Sequence, residues 1–173
     1  MMRRYFPFAI GAVIFVLDRI TKWIIRARVT AWDDIVVIPH FFSIVHAENR
    51  GAAFGLFSES TGTLHNFLLI GLSVIVLVFL SNVLWQQRHG NFARAWMLRA
   101  GLGLVLGGAL GNVYDRITTG TVTDFLEFYI GDHQFPSFNV ADSAITTGAG
   151  LLLLDMWRSR EKKPSEAGEH QKI

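Results

Sequence analysis

Four long apolar stretches punctuate the chain, at about Tyr5–Ile25, Leu64–Trp85, Ala95–Val113 and Val140–Trp157. Each is near the ~20 residues that a helix needs to cross the hydrocarbon of a bilayer. Polar positions concentrate in the two connections, 26–63 and 114–139, and in a charged tail over 159–173. The pattern predicts an all-α membrane fold, a four-transmembrane-helix bundle formed by residues 1–158, followed by a disordered tail. Within the first connection, Ile35–Ile38 and Phe41–Val45 are β-branched and aromatic runs split by Pro39-His40. They read as two short strands of a small sheet lying on the membrane. Ser58–Asn66 reads as an amphipathic interfacial helix, with Ser60 or Thr61 as its cap. In the second connection, alternation over Gly120–Leu126 predicts a short extended piece. Pro136 excludes helix immediately before it, Asn139 is a natural cap for the last helix, and Asp142 falls in its first turn.

Composition agrees with a membrane class. Of 173 residues, 51% are hydrophobic and 17% charged, against about 25% charged in soluble domains. A net charge of +2 gives nucleic acid no purchase. The placement of cations says more. Arg3 and Arg4, Arg88 and Arg94, and Arg158, Arg160, Lys162 and Lys163 flank the spans so that both termini are cytoplasmic by the positive-inside rule. Residues 26–63 and 114–139 then face outward, although Arg26, Arg28, Arg50 and Arg116 run against the bias. The N-terminal stretch is expected to be an anchor rather than a cleaved signal, because Asp18 interrupts it and no small-x-small site follows. With no cysteine, disulfides, a thiol nucleophile and thiolate metal sites are excluded.

The candidate chemistry lies in acidic residues at the edges of apolar segments. Asp124 is surrounded in sequence by Phe125, Leu126, Phe128 and Tyr129, apolar surface that raises a carboxyl pKa. Asp142 stands at the lip of the last span, where a carboxylate is expensive and calls for a functional account; a plain capping role is the other reading. Two close carboxylates share one proton, and such a pair can activate a water for attack on a peptide carbonyl. A proton-coupled carrier would use the same residues as a relay, and a non-enzymatic binding scaffold would use them for neither purpose. Asp18 and Lys22 are four apart and pair on one helix face, either as an interfacial ion pair with a snorkelling lysine or as orienting groups for a site. Asn112, Asp115 and Arg116 share a side of the third span, where Asp115 and Arg116 pair or grip loop backbone. Glu48–Gly55 supplies an amide and two glycines, as a turn or as a groove for an extended peptide. Gly103, Gly107 and Gly111 form a small-residue stripe that is expected to pack within the chain, leaving it a monomer. The six histidines show no ligand spacing, so neither metal nor cofactor is expected.

Five blocks taken in order carry a resemblance. They are Leu17-Asp18-Arg19-Ile20-Thr21-Lys22, Asn49–Gly55, Gly107–Arg116, Val122-Thr123-Asp124-Phe125 and Phe138-Asn139-Val140-Ala141-Asp142-Ser143. Through about residue 158 the chain resembles the bacterial lipoprotein signal peptidases (signal peptidase II). The resemblance implies four transmembrane helices with both ends cytoplasmic, an outward-facing β-cradle and an amphipathic helix beside the site. It implies an intramembrane aspartyl endopeptidase of the cytoplasmic (inner) membrane, acting on prolipoproteins at the amino side of a diacylglyceryl-modified cysteine. Membrane lipid would be a further partner and globomycin an inhibitor. Asp124 and Asp142 match the catalytic pair of that family. Asp18, Lys22, Asn49, Gly51, Phe54, Asn112, Asp115, Arg116, Asn139 and Ala141 match its supporting and substrate-binding positions, with the residues around Phe54 expected to cover the site and gate entry. Arg19 stands where that family usually has Gln, and Thr123 where a second Val is common.

Overall fold

The computed structural model describes residues 2–31, 33–50, 63–87 and 92–161, with side chains from Tyr5 onward outside 63–66, 87, 92–95 and 159–161. The elements run α1 (Met2–Arg28), β1 (Asp34–Ile38), β2 (Phe42–Asn49), α2 (Thr63–Gln87), α3 (Phe92–Thr118), β3 (Val122–Ile130), β4 (His133–Gln134) and α4 (Val140–Glu161). Each apolar stretch is therefore a helix. Phe67–Gln86 and Trp96–Thr118 are long and apolar enough to cross a membrane. By contrast, Asp18, Arg19 and Lys22 interrupt α1, and Asp142 and Asp155 fall within α4. Gly51 and Phe54, most of the expected interfacial helix at 58–66, and the tail from 162 lie outside the described residues.

Helix α3 is the axis of the bundle, packing against α1, α4 and α2. Its glycine stripe is buried inside the chain, as expected. A Cβ at Gly107 would lie 2.5 Å from the backbone oxygen of Gly11 on α1, so the two helices meet backbone to backbone. The neighbouring Gly108 meets the Ala141 carbonyl of α4 in the same way. On its third side α3 uses ordinary apolar packing: Leu102, Leu106 and Val113 form a core with Leu77, Leu80 and Leu84 of α2. The rest of α2 turns outward, with Phe67, Leu68, Leu72, Ile75 and Phe79 each more than 60% exposed. So continuous an apolar face marks a surface made for lipid or protein rather than water.

The sheet is antiparallel, in the order β1-β2-β3-β4. Pro39 and His40 turn the first hairpin as the split between the two runs implies, with His40 at φ 58°. β3 continues to Ile130, four residues beyond the extended piece read from alternation, because Phe42 and Phe138 stack on Phe128 and extend its cover. Ile44 pairs with Leu126 and Ala47 with Asp124, so two β2 residues oppose Phe125 alone, a β-bulge beside Asp124. On the other edge of this stretch, Phe138 pairs with Leu126, its N–H donating to the Leu126 carbonyl at 3.0 Å. That bridge brings the start of α4 beside β3. Ile25, Val29 and Phe125 form a second core, which seats the sheet on the end of α1.

Candidate active site

Asp124 and Asp142 come from different elements, a strand and a helix start, and Asn139 touches both. Its Nδ2 donates to Asp124 Oδ1 at 2.6 Å. Its Oδ1 accepts from the Asp142 backbone N–H at 3.0 Å, and its own backbone N–H donates to Asp142 Oδ2 at 3.3 Å. The last two bonds are a reciprocal capping arrangement, so Asn139 caps α4 and Asp142 completes the box. The capping reading and the functional reading of Asp142 are thus compatible, since its other oxygen is directed elsewhere: Oδ1 accepts from Asn112 Nδ2 at 2.7 Å. Asp124 Oδ2 accepts from Asn49 Nδ2 at 3.0 Å. All four carboxylate oxygens therefore meet neutral amides. Burial, and then the nearby charge of Asp142, push the Asp124 carboxyl up to about 7, with the amides of Asn49 and Asn139 pulling the other way. The apolar setting read from the sequence is the leading cause.

Cations are held one layer back. Lys22 is fully buried, its Nζ 3.0 Å from Asp18 Oδ1 and 2.7 Å from Asp115 Oδ2. It does not snorkel, because two carboxylates at bundle depth compensate the ammonium better than a distant headgroup. Its third contact donates to Asn112 Oδ1 at 3.0 Å, which turns the amide so that Nδ2 faces Asp142. Asp18 reaches α4 as well, accepting from the Ala141 N–H at 3.2 Å. The absence of a side chain at Gly111 makes room for this, since a Cβ there would lie 2.6 Å from Asp18 Oδ2. Ala141 is wholly buried at the same junction.

Asp115 is the hub of this layer. The sequence offered Arg116 as its ion-pair partner, but the ion pairs of Asp115 go across to α1, to Lys22, Arg19 and Arg26. Adjacent residues on a helix point about 100° apart, whereas a neighbouring helix presents its side chains directly. Arg116 turns toward the site, where the charges of Asp142, Asp124 and Asp115 all act on it, and its Nη1 donates to the Asn112 carbonyl at 3.5 Å. Arg19 bridges Asp18 and Asp115 at 2.6 Å each, with its guanidinium 4.7 Å from the Tyr114 ring centroid. Arg26 and Thr123 also join the layer and were missed as site residues. The signal for Arg26 was present, since Asp18, Lys22 and Arg26 recur every four residues on one helix face.

The described arrangement is an acid pair, Asp124 buried and Asp142 half-buried, fixed by amides and backed by an ion-pair layer. The family described as Signal peptidase (SPase) II matches residues 10–158. The chain belongs to the signal peptidase II family. A "Lipoprotein signal peptidase" of Solibacter usitatus is 44% identical over 159 residues, covering 92% of this chain and 94% of that protein. Another of that name, from Pseudomonas aeruginosa, is 43% identical over 159 residues, covering 91% and 90%. Two solved chains, each described as a bacterial membrane enzyme, share the fold. One has TM-score 0.78 at 29% identity, covering 92% of both chains; the other has TM-score 0.72 at 31% identity, covering 87% and 91%. Signal peptidase II is an aspartic peptidase family, and this chain is one of its enzymes.

Proposed function

We propose that the protein is an intramembrane aspartyl endopeptidase that removes signal peptides from prolipoproteins, cutting on the amino side of a diacylglyceryl-modified cysteine. Asp124 and Asp142 share one proton. The anionic member takes a proton from a water between them, and the resulting hydroxide attacks the scissile carbonyl. The neutral member donates to the developing oxyanion, and a proton then passes to the leaving amine as the C–N bond breaks. Substrate hydrolysis needs no covalent intermediate on this route. The single observation that carries the reading is Asn139, which hydrogen-bonds both carboxyl groups and so holds them to one small volume. The raised Asp124 pKa supports a shared proton near neutrality.

In this reading α1 to α4 all cross the bilayer, with both termini cytoplasmic and the dyad at the outer, periplasmic lip of the inner membrane. Residues 1–158 form the peptidase unit and 159–173 a cytoplasmic tail. Residues Asn49 to Phe54, Asn112 and Arg116 meet the substrate, and globomycin competes for the same place. The deciding assay uses purified protein and a diacylglyceryl-modified precursor, with and without globomycin. Asp124→Asn and Asp142→Asn should each lower cleavage by about 10⁴-fold or more while precursor binding persists. Cleavage that survives either change would refute the dyad. Loss of proton flux in place of cleavage would make the protein a carrier.

A further inference from the structure

A polar strap outside the proposed dyad joins the bundle to the sheet. Arg26 lies one turn beyond Lys22 on α1 and donates in two directions. Its Nη2 reaches Asp115 Oδ1 on α3 at 2.9 Å, and its Nε reaches Thr123 Oγ1 on β3 at 2.8 Å. Thr123 Oγ1 in turn donates to Glu48 Oε1 on β2 at 2.9 Å. Glu48 is held further by Thr121 and by His46 Nε2. A guanidinium is rigid and planar, so two acceptors bound to its Nε and Nη2 are kept at a fixed separation. The Thr123 hydroxyl, fully buried, uses its proton and a lone pair on opposite partners.

Three strap residues lie close in the chain to the dyad or to its donors. Thr123 immediately precedes Asp124, and Glu48 immediately precedes Asn49, the donor to Asp124 Oδ2. Asp115 follows Asn112, the donor to Asp142 Oδ1, by one turn of α3. One end of the strap therefore fixes the strand pair that carries Asp124, and the other fixes the helix that holds Asp142. The two carboxyl groups belong to separate layers, and proton sharing through one water needs their spacing held to a fraction of an ångström.

We infer that Arg26 and Thr123 are positioning residues, which set the spacing of Asp124 against Asp142 by tying β2 and β3 to α1 and α3. The inference rests on the proposed reading of Asp124 and Asp142 as the reacting pair. It also accounts for a cation that opposes the charge bias: Arg26 lies where it does because Asp115 and Thr123 need it.

The test measures kcat and KM of the purified full-length protein on a diacylglyceryl-modified precursor, with thermal unfolding in the same detergent. Thr123→Val swaps the hydroxyl for a methyl of similar shape, and Thr123→Ser keeps it. Arg26→Lys keeps the charge and loses the fork. Thr123→Val and Arg26→Lys are each expected to lower kcat about tenfold with KM within about twofold. Thr123→Ser should retain at least about half of kcat, since the hydroxyl is what the strap uses. The double variant should be no slower than the slower single, because both changes cut one chain. Arg26→Lys, at a partly exposed position, gives the same readout independently of how well Thr123→Val accumulates. Wild-type kcat in both single variants, beside an inactive Asp124→Asn control, would overturn the strap and leave the dyad standing. Losses that multiply in the double variant, or that appear only in KM, would also overturn it. Normal cleavage by Asp124→Asn would remove the dyad and the positioning role with it.

Discussion

Truncating Asn139 should damage the enzyme in two separable ways. Asn139→Ala removes the cap of α4, worth about 1 kcal/mol. It also deprives the buried Asp124 Oδ1 of its 2.6 Å donor, at a cost of about 1–3 kcal/mol. Since Asn139 is wholly buried, little water reaches the gap, and the expected loss of stability is about 2–4 kcal/mol. Asn139→Ser separates the two effects. Serine caps a helix about as well as asparagine, so stability should recover by about 1 kcal/mol, yet its shorter side chain leaves Asp124 without the amide. Activity should therefore stay depressed roughly 10- to 100-fold in both variants. The pH profile moves in a definite direction. The Asn139 amide holds the Asp124 carboxyl down, partly offsetting burial and the Asp142 charge that push it up to about 7. Without the amide the carboxyl rises further, by about one pH unit if its loss costs ~1.4 kcal/mol. The alkaline limb, where the pair loses its shared proton, should move above its wild-type midpoint. Precursor cleavage from pH 5 to 9 and unfolding in detergent would measure both effects. Wild-type activity in Asn139→Ser, or an alkaline limb that stays in place, would refute the reasoning.

The remaining expectations concern the scaffold. Gly107→Ala should destabilise the bundle by about 1–3 kcal/mol, since its Cβ would meet the Gly11 carbonyl and neither backbone can yield; unfolding in detergent checks it. Lys22→Met should cost about 3–5 kcal/mol by leaving Asp18 and Asp115 short of a buried counter-charge, and raised salt should not reproduce the effect because the pairs are screened from solvent. Native Asp124 holds its proton up to about 7, against an ordinary 3.8. The native state then binds more protons than the unfolded chain between those values, so stability falls as pH rises through that window. Asp124→Asn should flatten that part of the Tm-against-pH curve.

The helices, the cap at Asn139 and the glycine stripe were legible because each is a local pattern whose physics acts within one or two turns. Asp18 and Lys22 were legible as a pair for the same reason. What the sequence could not supply was depth and partner. Lys22 looked like a snorkelling residue because nothing local shows that Asp115, 93 positions away, would arrive to compensate it. Arg26 looked like a stray loop cation, yet α1 extends to Arg28 and turns it onto α3 and β3. Thr123 registered as a departure from a family pattern, without the hydroxyl contacts that give it a role. The span from β3 to Ile130 was missed because its cover is aromatic stacking from Phe42 and Phe138, on two other segments.

The extra residue in β2 has a consequence for how this chain can vary. Ile44 and Asn49 are five apart, an odd interval that in an unbroken strand would send them to opposite sides of the sheet. Their partners Leu126 and Val122 are four apart and share a side with Asp124. Odd spacing meets even spacing only because one residue is spare. Deleting Val45 or His46 alone would set four steps against four, so the strands could pair without the bulge and keep Ile44 and Asn49 on one side, losing only the local bend beside Asp124. Loss of one residue at this point should therefore be tolerated better than loss of two, which would set three steps against four and turn Ile44 or Asn49 to the wrong side.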